Sequence, residues 1–323
     1  MRKTIPIAII IFALLCLASI ENIFAISDAT ASIKDIQGNV DVERQGNTIT
    51  GRKGLILHDN DLVQTNSRSK VTIIFRDGSI IRLFANTKFL IEKSVEVKKG
   101  SRKFLNRFIL RVGSFWGKFT KNAQHTVIKT PTATCGIKGT SVSLSQVDNQ
   151  LTVSLSSGKI AVKNDDEEII LNPGQQVTGV RRLGMISNKV KNLPYRIIVT
   201  PDDNRIKIPQ SGEENQVYFT IQLIDIATNK NVFRTGYIYM NLEHDKVIFD
   251  KNIKLNSRGY TRTKARIQHF KKEDYKGGTI EIHALLDGSK NMDIEVGRTI
   301  LTYRKSGKPV KKIKIDASLG QIN

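Results

Sequence analysis

The sequence predicts an all-β protein built as two modules. Between Ile33 and Val180, short segments such as Val71-Ile73-Phe75, Ile81-Leu83, Val153-Leu155 and Ile160-Val162 alternate apolar with polar residues, and a period of two marks strands. Asx and Gly turns punctuate these segments at Asp77-Gly78, Ser157-Gly158 and Asn172-Pro173-Gly174. A second series of alternating runs begins near Tyr195 and ends near Tyr303.

Taken in order, the chain opens MRKTIPIAIIIFALLCLASIENIFA, a basic start followed by an apolar run from Ile5 to Ile20. That is the layout of a secretory leader, so residues 1–25 are expected to be removed after Ala25, with Ala29-Thr30-Ala31 as a second small-residue site. The alternative is a retained anchor, but the run of about 16 residues is short of the roughly 20 that span a bilayer. Leu15 before Cys16 argues against lipid modification. Without the leader Cys135 stands alone, so the mature chain forms no internal disulfide and its core must suffice.

The formal charge of +21 draws an exported chain toward polyanions, either a phosphorylated lipid, an anionic glycan or an acidic envelope protein; nucleic acid is not an expected partner outside the cell. Solubility alone also accounts for such a charge. Cations are densest over Lys93–Lys129 and in RKSGKPVKKIK, 304–314.

RKFLNRFILRVGSFWGKF (102–119) places Phe104, Leu105, Phe108 and Ile109 at helical spacing and predicts a short helical turn before strand alternation resumes. GNVDV at 38, GSFWGKF at 113 and GKIAV at 158 each set a glycine before an apolar alternation, which suggests similar coils or hairpins stacked as an irregular β-roll or sandwich. RRLGMISNKVKNLP (181–194) lacks alternation and is expected as a linker. RIIVTP, QVYFTIQLID, TGYIYMNL, TKARIQHF, GTIEIHALLD and GRTILTY then describe an immunoglobulin-type sandwich over 195–303. The basic stretch 304–323 is expected as a mobile tail.

The segment 33–180 resembles a FecR domain, the extracytoplasmic module named for the ferric-citrate regulator. The residues that carry this are GNVDV, DNDLVQTNSRSKVTIIFRDGSIIRL (59–83), LRVGSFWGKF (110–119), TPTATCGIKGTSVSL (130–144) and LSSGKIAVKN with LNPGQQV (155–177). Residues 195–303 resemble bacterial Ig-like domains of the invasin and intimin kind, in VYFTIQLIDIATNKNV, NSRGYTRTKARI and GTIEIHAL. The FecR resemblance implies a module that binds or relays rather than catalyses. Familiar members hold a sigma factor with a cytoplasmic N-terminal region, cross the inner membrane once and touch an outer-membrane transporter. Here only Met1–Pro6 precede the apolar run, so sigma-factor and iron-transport signalling are not carried over; no membrane span is expected after leader removal.

Chemical motifs are sparse. Gly136-Ile-Lys138-Gly139-Thr140 suggests a phosphate loop, yet the four-residue glycine spacing, the Lys directly before Ser or Thr and the following helix are all missing. The expected role of Thr130, Pro131, Gly136, Gly139 and Thr140 is therefore conformational, a corner in which Cys135 is a small buried group, with an exposed thiol as the alternative. HDND (58–61) reads as a polar turn, because a calcium loop needs further alternating ligands. His125, His244, His269 and His283 stand singly, and neither a metal nor a cofactor is expected.

No nucleophile signature indicates an enzyme, although a glycan-active site assembled from distant residues stays an alternative beside a self-associating structural subunit. The expected partner-binding residues are Trp116, Lys118, Lys121, Arg107 and Arg111. Alternation sends Phe115 to the core and Trp116 toward solvent or an interface.

Overall fold

The computed structural model describes residues 29–303 apart from 243–244, 251, 272–277 and 287–291. The expected leader 1–25, with Cys16, and the expected tail 304–323 lie outside the described residues, as does His244. The described chain is all-β, with a single 3₁₀ turn at Ser187–Lys189.

The first unit comprises β1 (Ala31–Gln37), β2 (Val40–Arg44), β3 (Asn47–Thr50), β4 (Ile56–Leu57), β5 (Leu62–Thr65), β6 (Lys70–Phe75), β7 (Ile80–Leu83), β8 (Lys88–Glu96), β9 (Phe104–Lys118) and β10 (Ala123–Lys129). It continues through β11 (Thr134–Val147), β12 (Gln150–Lys163), β13 (Glu168–Leu171), β14 (Gln175–Val180) and β15 (Val190–Asn192). These strands share one branched hydrogen-bonded network whose longest path runs β15-β14-β12-β11-β10-β9-β7-β6-β1-β4. Its core holds Ile73, Phe89, Phe108, Phe115 and Leu144, all at 0 % exposure. The phenylalanine rings meet edge-on or tilted, Phe75 to Phe108 at 5.0 Å and Phe89 to Phe115 at 5.5 Å, which suits their quadrupoles.

Three expectations change here. The helical turn at 102–119 is the strand β9. Phe104 and Phe108 face the core, while Leu105 and Ile109 lie half-buried on the opposite face, so two apolar faces mimic helical spacing. The corner at Gly136–Gly139 is a bulge in the continuous strand β11. Its pairing with β12 slips between Lys138 and Ser141, and its neighbour on the other side changes from β10 to β9. The 181–194 stretch is packed onto the first unit: β15 pairs with β14, and Ile186 enters the core at 0 % exposure.

Strand β10 lies parallel to the first half of β9, with Val127 opposite Arg107. The second half of β9 serves as the crossover, running on to pair with β7 and β11.

The second unit holds β16 (Tyr195–Pro201), β17 (Arg205–Ile206), β18 (Glu214–Asp225), β19 (Gly236–Leu242), β20 (Val247–Phe249), β21 (Ile253–Leu255), β22 (Tyr260–Gln268), β23 (Thr279–Leu286), β24 (Ile294–Glu295) and β25 (Gly297–Tyr303). They form two five-stranded sheets, β20-β22-β18-β16-β24 and β17-β25-β23-β19-β21. Between them pack Phe219, Ile221, Leu223, Ile282, Ala284 and Leu301, so this unit is a β-sandwich with its own core.

Alternation gives each of these sheets an outer face. On β19 and β23 that face carries Tyr239, Glu281, His283 and Leu285, and it lies against Thr72, Phe84, Trp116 and Lys118 of the first unit. The two units thus meet along a seam.

Candidate functional site

The seam claims two of the expected partner-binding residues. Trp116 is 0 % exposed, clustered with Ile80, Phe84 and Leu285, with its ring 5.5 Å from the His283 ring. Its indole Nε1–H donates to Ser141 Oγ at 3.2 Å. Strand alternation correctly turns Trp116 away from its own core, but the second unit covers it, so it is unavailable to an outside partner. Lys118 is likewise engaged, with Nζ 3.0 Å from Glu281 Oε2.

Glu281 gathers three cationic or titratable neighbours: Lys118, Arg298 at 2.5 Å and His283 Nε2 at 3.0 Å. Burial alone raises a carboxyl pKa, but His283, Lys118 and Arg298 outweigh it and hold Glu281 well below the usual carboxylate range. Burial lowers the His283 pKa in spite of Glu281. Elsewhere on the seam, Arg82 stacks 3.4 Å above the Tyr239 ring and donates to Thr72 Oγ1 at 3.0 Å, and Tyr239 Oη lies 3.0 Å from that same oxygen. A desolvated cation over an aromatic face is worth about 2 kcal/mol. Burial raises the Tyr239 pKa.

The remaining expected cations face solvent. Arg107 and Arg111 sit on the outward side of β9, and Lys121 is exposed in the turn before β10. Cross-strand register puts Arg107 opposite Lys93 on β8 and Val127 on β10. Lys129 lies opposite Thr134, Thr134 opposite Lys163, and Lys138 opposite Lys159. These cations occupy one outward sheet face across β8 to β12, joined at its margins by Lys88 and Arg111. Among the described residues, the carboxylates ion-paired with these cations are Glu92, 3.7 Å from Arg107, and Glu168, 3.6 Å from Lys163. Among the described residues, these eight cations and their two paired carboxylates sum to a net of six positive charges. Between them lie the part-exposed Ile109 and Val127, and on β13 Ile170 at 62 % exposure. Lys93, Lys129, Lys138, Lys159 and Lys163 were not among the expected partner-binding residues; their outward positions on adjacent strands become legible only with the register.

The residues expected to shape the backbone do so unequally. Thr130 Oγ1 accepts the Ala133 N–H at 3.0 Å, and Thr132 Oγ1 donates to Gln146 at 2.9 Å, so the Thr-Pro turn is latched by side chains while Pro131 stays exposed. Gly139 has φ +59° within the bulge, whereas a Cβ at Gly136 would meet only Ala161 at 3.9 Å. The crowded glycine is Gly158, with φ +83° and space for a Cβ blocked by Gly139 O at 2.6 Å. Thr140 is buried and its hydroxyl donates across the bulge to Lys159 O at 3.1 Å. Cys135 is fully buried, and burial pushes its thiol up to about 12. In HDND, Asp61 is buried and doubly bound by Arg44 at 2.8 and 2.7 Å, and Asp59 accepts from Thr30 and Ser94, so both carboxylates fasten turns.

A family model described as FecR protein matches residues 61–161. This stretch is FecR-like. The FecR-like stretch runs from the start of β5 to near the end of β12, and so contains Trp116, the seam face of β6, β7 and β9, and most of the cationic face. No curated protein matches the chain. Among solved structures, a candidate anti-sigma factor from Parabacteroides distasonis aligns at 18 % identity and TM-score 0.34 over 41 % of this chain and 59 % of its own. A second crystal structure of such a candidate anti-sigma factor from that organism aligns at 19 % identity and TM-score 0.34, with the same shares. A glycosyl hydrolase family 2 member from Bacteroides cellulosilyticus aligns at 12 % identity and TM-score 0.23, over 83 % of this chain and 28 % of its own. The chain therefore spans less than two thirds of each of these proteins. Among the described residues no helix is long and apolar enough to cross a membrane.

Proposed function

We infer that the protein is an exported, non-enzymatic envelope component that binds an anionic lipid surface through the outward face of β8 to β13. The second unit, an Ig-like module in this reading, braces the opposite face instead of acting as a free spacer.

The supporting observation is the cation array itself. Its charges are spread over several strands about 4.8 Å apart, which makes a two-dimensional field rather than a groove for one linear chain. A plane of headgroup phosphates presents charge in the same way. Each Lys or Arg near an anionic membrane contributes about 1 kcal/mol, so a net of six supplies about 6 kcal/mol and gives reversible attachment. The part-exposed Ile109, Val127 and Ile170 suit the depth of the headgroup layer. The FecR-like stretch is consistent with a role at the envelope.

Co-sedimentation with phosphatidylglycerol vesicles tests this reading. Binding that exceeds that to phosphatidylcholine vesicles and weakens with salt supports it. Equal binding to both, or a clear preference for a soluble acidic polysaccharide, sinks it.

A further inference from the structure

A second, smaller site lies at the seam, unrelated to the cationic sheet face. A cavity of about 300 Å³ is lined by Ser141, Ser156 and Ser157 from the first unit and by Arg196, His283, Glu295 and Arg298 from the second. The hydroxyls share one feature. Ser141 Oγ accepts from Trp116 Nε1 at 3.2 Å, Ser156 Oγ from the Val296 N–H at 3.3 Å, and Ser157 Oγ from the Ser141 N–H at 3.2 Å. Each oxygen takes its hydrogen bond from a protein N–H, which leaves its own O–H to be donated. The Arg196 Nε is buried with no hydrogen-bond partner, while His283 Nε2 is taken up by Glu281 at 3.0 Å.

The acceptors nearby are occupied or weakened. Glu281 is shared among Lys118, Arg298 and His283. Burial raises the Glu295 pKa in spite of Arg196, so its proton is held more tightly than usual and its negative charge opposes a bound anion less. A buried donor left unmade costs about 1–3 kcal/mol, which applies to the Arg196 Nε–H, and the three serine hydroxyls line the same cavity.

We propose that this cavity binds a small oxyanion, held by the Arg196 guanidinium and the three serine hydroxyls so that it bridges the two units. The volume admits an inorganic phosphate with waters, or a short dicarboxylate; both present the several acceptor oxygens that the donors require. Because its ligands come from both units, the anion favours the closed seam over the open one, and its binding raises the stability of the whole chain by linkage.

The test titrates the mature chain with sodium phosphate, with sodium malonate and with sodium chloride at constant ionic strength, followed by calorimetry and by the thermal midpoint. Saturable binding of phosphate or malonate with a raised midpoint supports the site, and the stronger of the two assigns phosphate or carboxylate chemistry. Arg196→Gln lowers that affinity at least tenfold, and the milder Ser156→Ala, which leaves the fold intact, lowers it severalfold. Lys138→Glu, on the sheet face, leaves it unchanged and separates this site from the lipid-binding reading. A response to phosphate and malonate no larger than to chloride, or unchanged affinity in both Arg196→Gln and Ser156→Ala, overturns the proposal.

Discussion

Replacing Trp116 by Ala is expected to open the seam. The side chain is 0 % exposed, and its neighbours come from both units: Ile80 and Phe84 from the first, Leu285 and His283 from the second. A buried indole removes about 150–250 Å² from water, worth about 4–6 kcal/mol at ~25 cal/mol per Å². Large aromatic deletions in cores cost about 3–5 kcal/mol, so the two routes agree on roughly 4 kcal/mol. Trp116→Phe keeps most of the packing and loses the bond to Ser141, at about 1 kcal/mol. Urea unfolding followed by circular dichroism measures both variants. Trp116 is also the chain's one tryptophan, so wild-type emission reports the seam directly: it is blue-shifted and resists iodide until unfolding begins. A loss below about 1 kcal/mol in Trp116→Ala, well short of the range for buried aromatics, refutes the burial argument, as does ready quenching of the native protein.

Three further outcomes follow from the same geometry. Gly158→Ala forces a Cβ against Gly139 O at a positive φ and is expected to destabilise by more than ~1 kcal/mol, whereas Gly136→Ala is nearly neutral; thermal unfolding of the pair distinguishes them. Acid weakens the seam: His283 and Glu281 both have lowered pKa values in the folded state, so the unfolded chain takes up protons first, and stability present at neutral pH declines below about 6.5 through His283 and below about 4.3 through Glu281. Glu295, raised by burial, opposes this as it is protonated, and His283→Gln should remove the loss that begins near 6.5 in a pH series of thermal midpoints. Cys135, buried with its thiol pushed up to about 12, reacts with a thiol reagent in urea but not in buffer, and rapid labelling of the native chain contradicts its placement.

Strand periodicity carried much of the fold. The six apolar runs read after residue 195 fall in β16, β18, β19, β22, β23 and β25, since long strands with one buried face declare themselves by alternation. The short β17, β20, β21 and β24 span only two or three residues each and offer too little pattern to read. Strand β9 was misleading for the opposite reason: it is apolar on both faces, one in the core and the other beneath the cationic array. The three glycines that open GNVDV, GSFWGKF and GKIAV all adopt positive φ, at +74° for Gly38, +95° for Gly113 and +83° for Gly158, but Gly113 and Gly158 lie inside strands rather than ahead of them. Candidate sites were less legible. Arg107 and Arg111 could be picked from local charge density, but the seam cavity joins Ser141 to Arg196, His283 and Glu295, which nothing in the linear order brings together.

The role of the outward sheet face is tested most directly by measuring vesicle affinity for the chain from residue 26 onward beside a Lys93→Glu, Arg107→Glu, Lys138→Glu variant. At low salt the wild type should bind phosphatidylglycerol vesicles and the variant at least about a hundredfold more weakly, since three charge reversals remove more than ~3 kcal/mol of attraction. Wild-type affinity retained by a variant whose thermal midpoint is unchanged would contradict the assignment of this face as the binding surface.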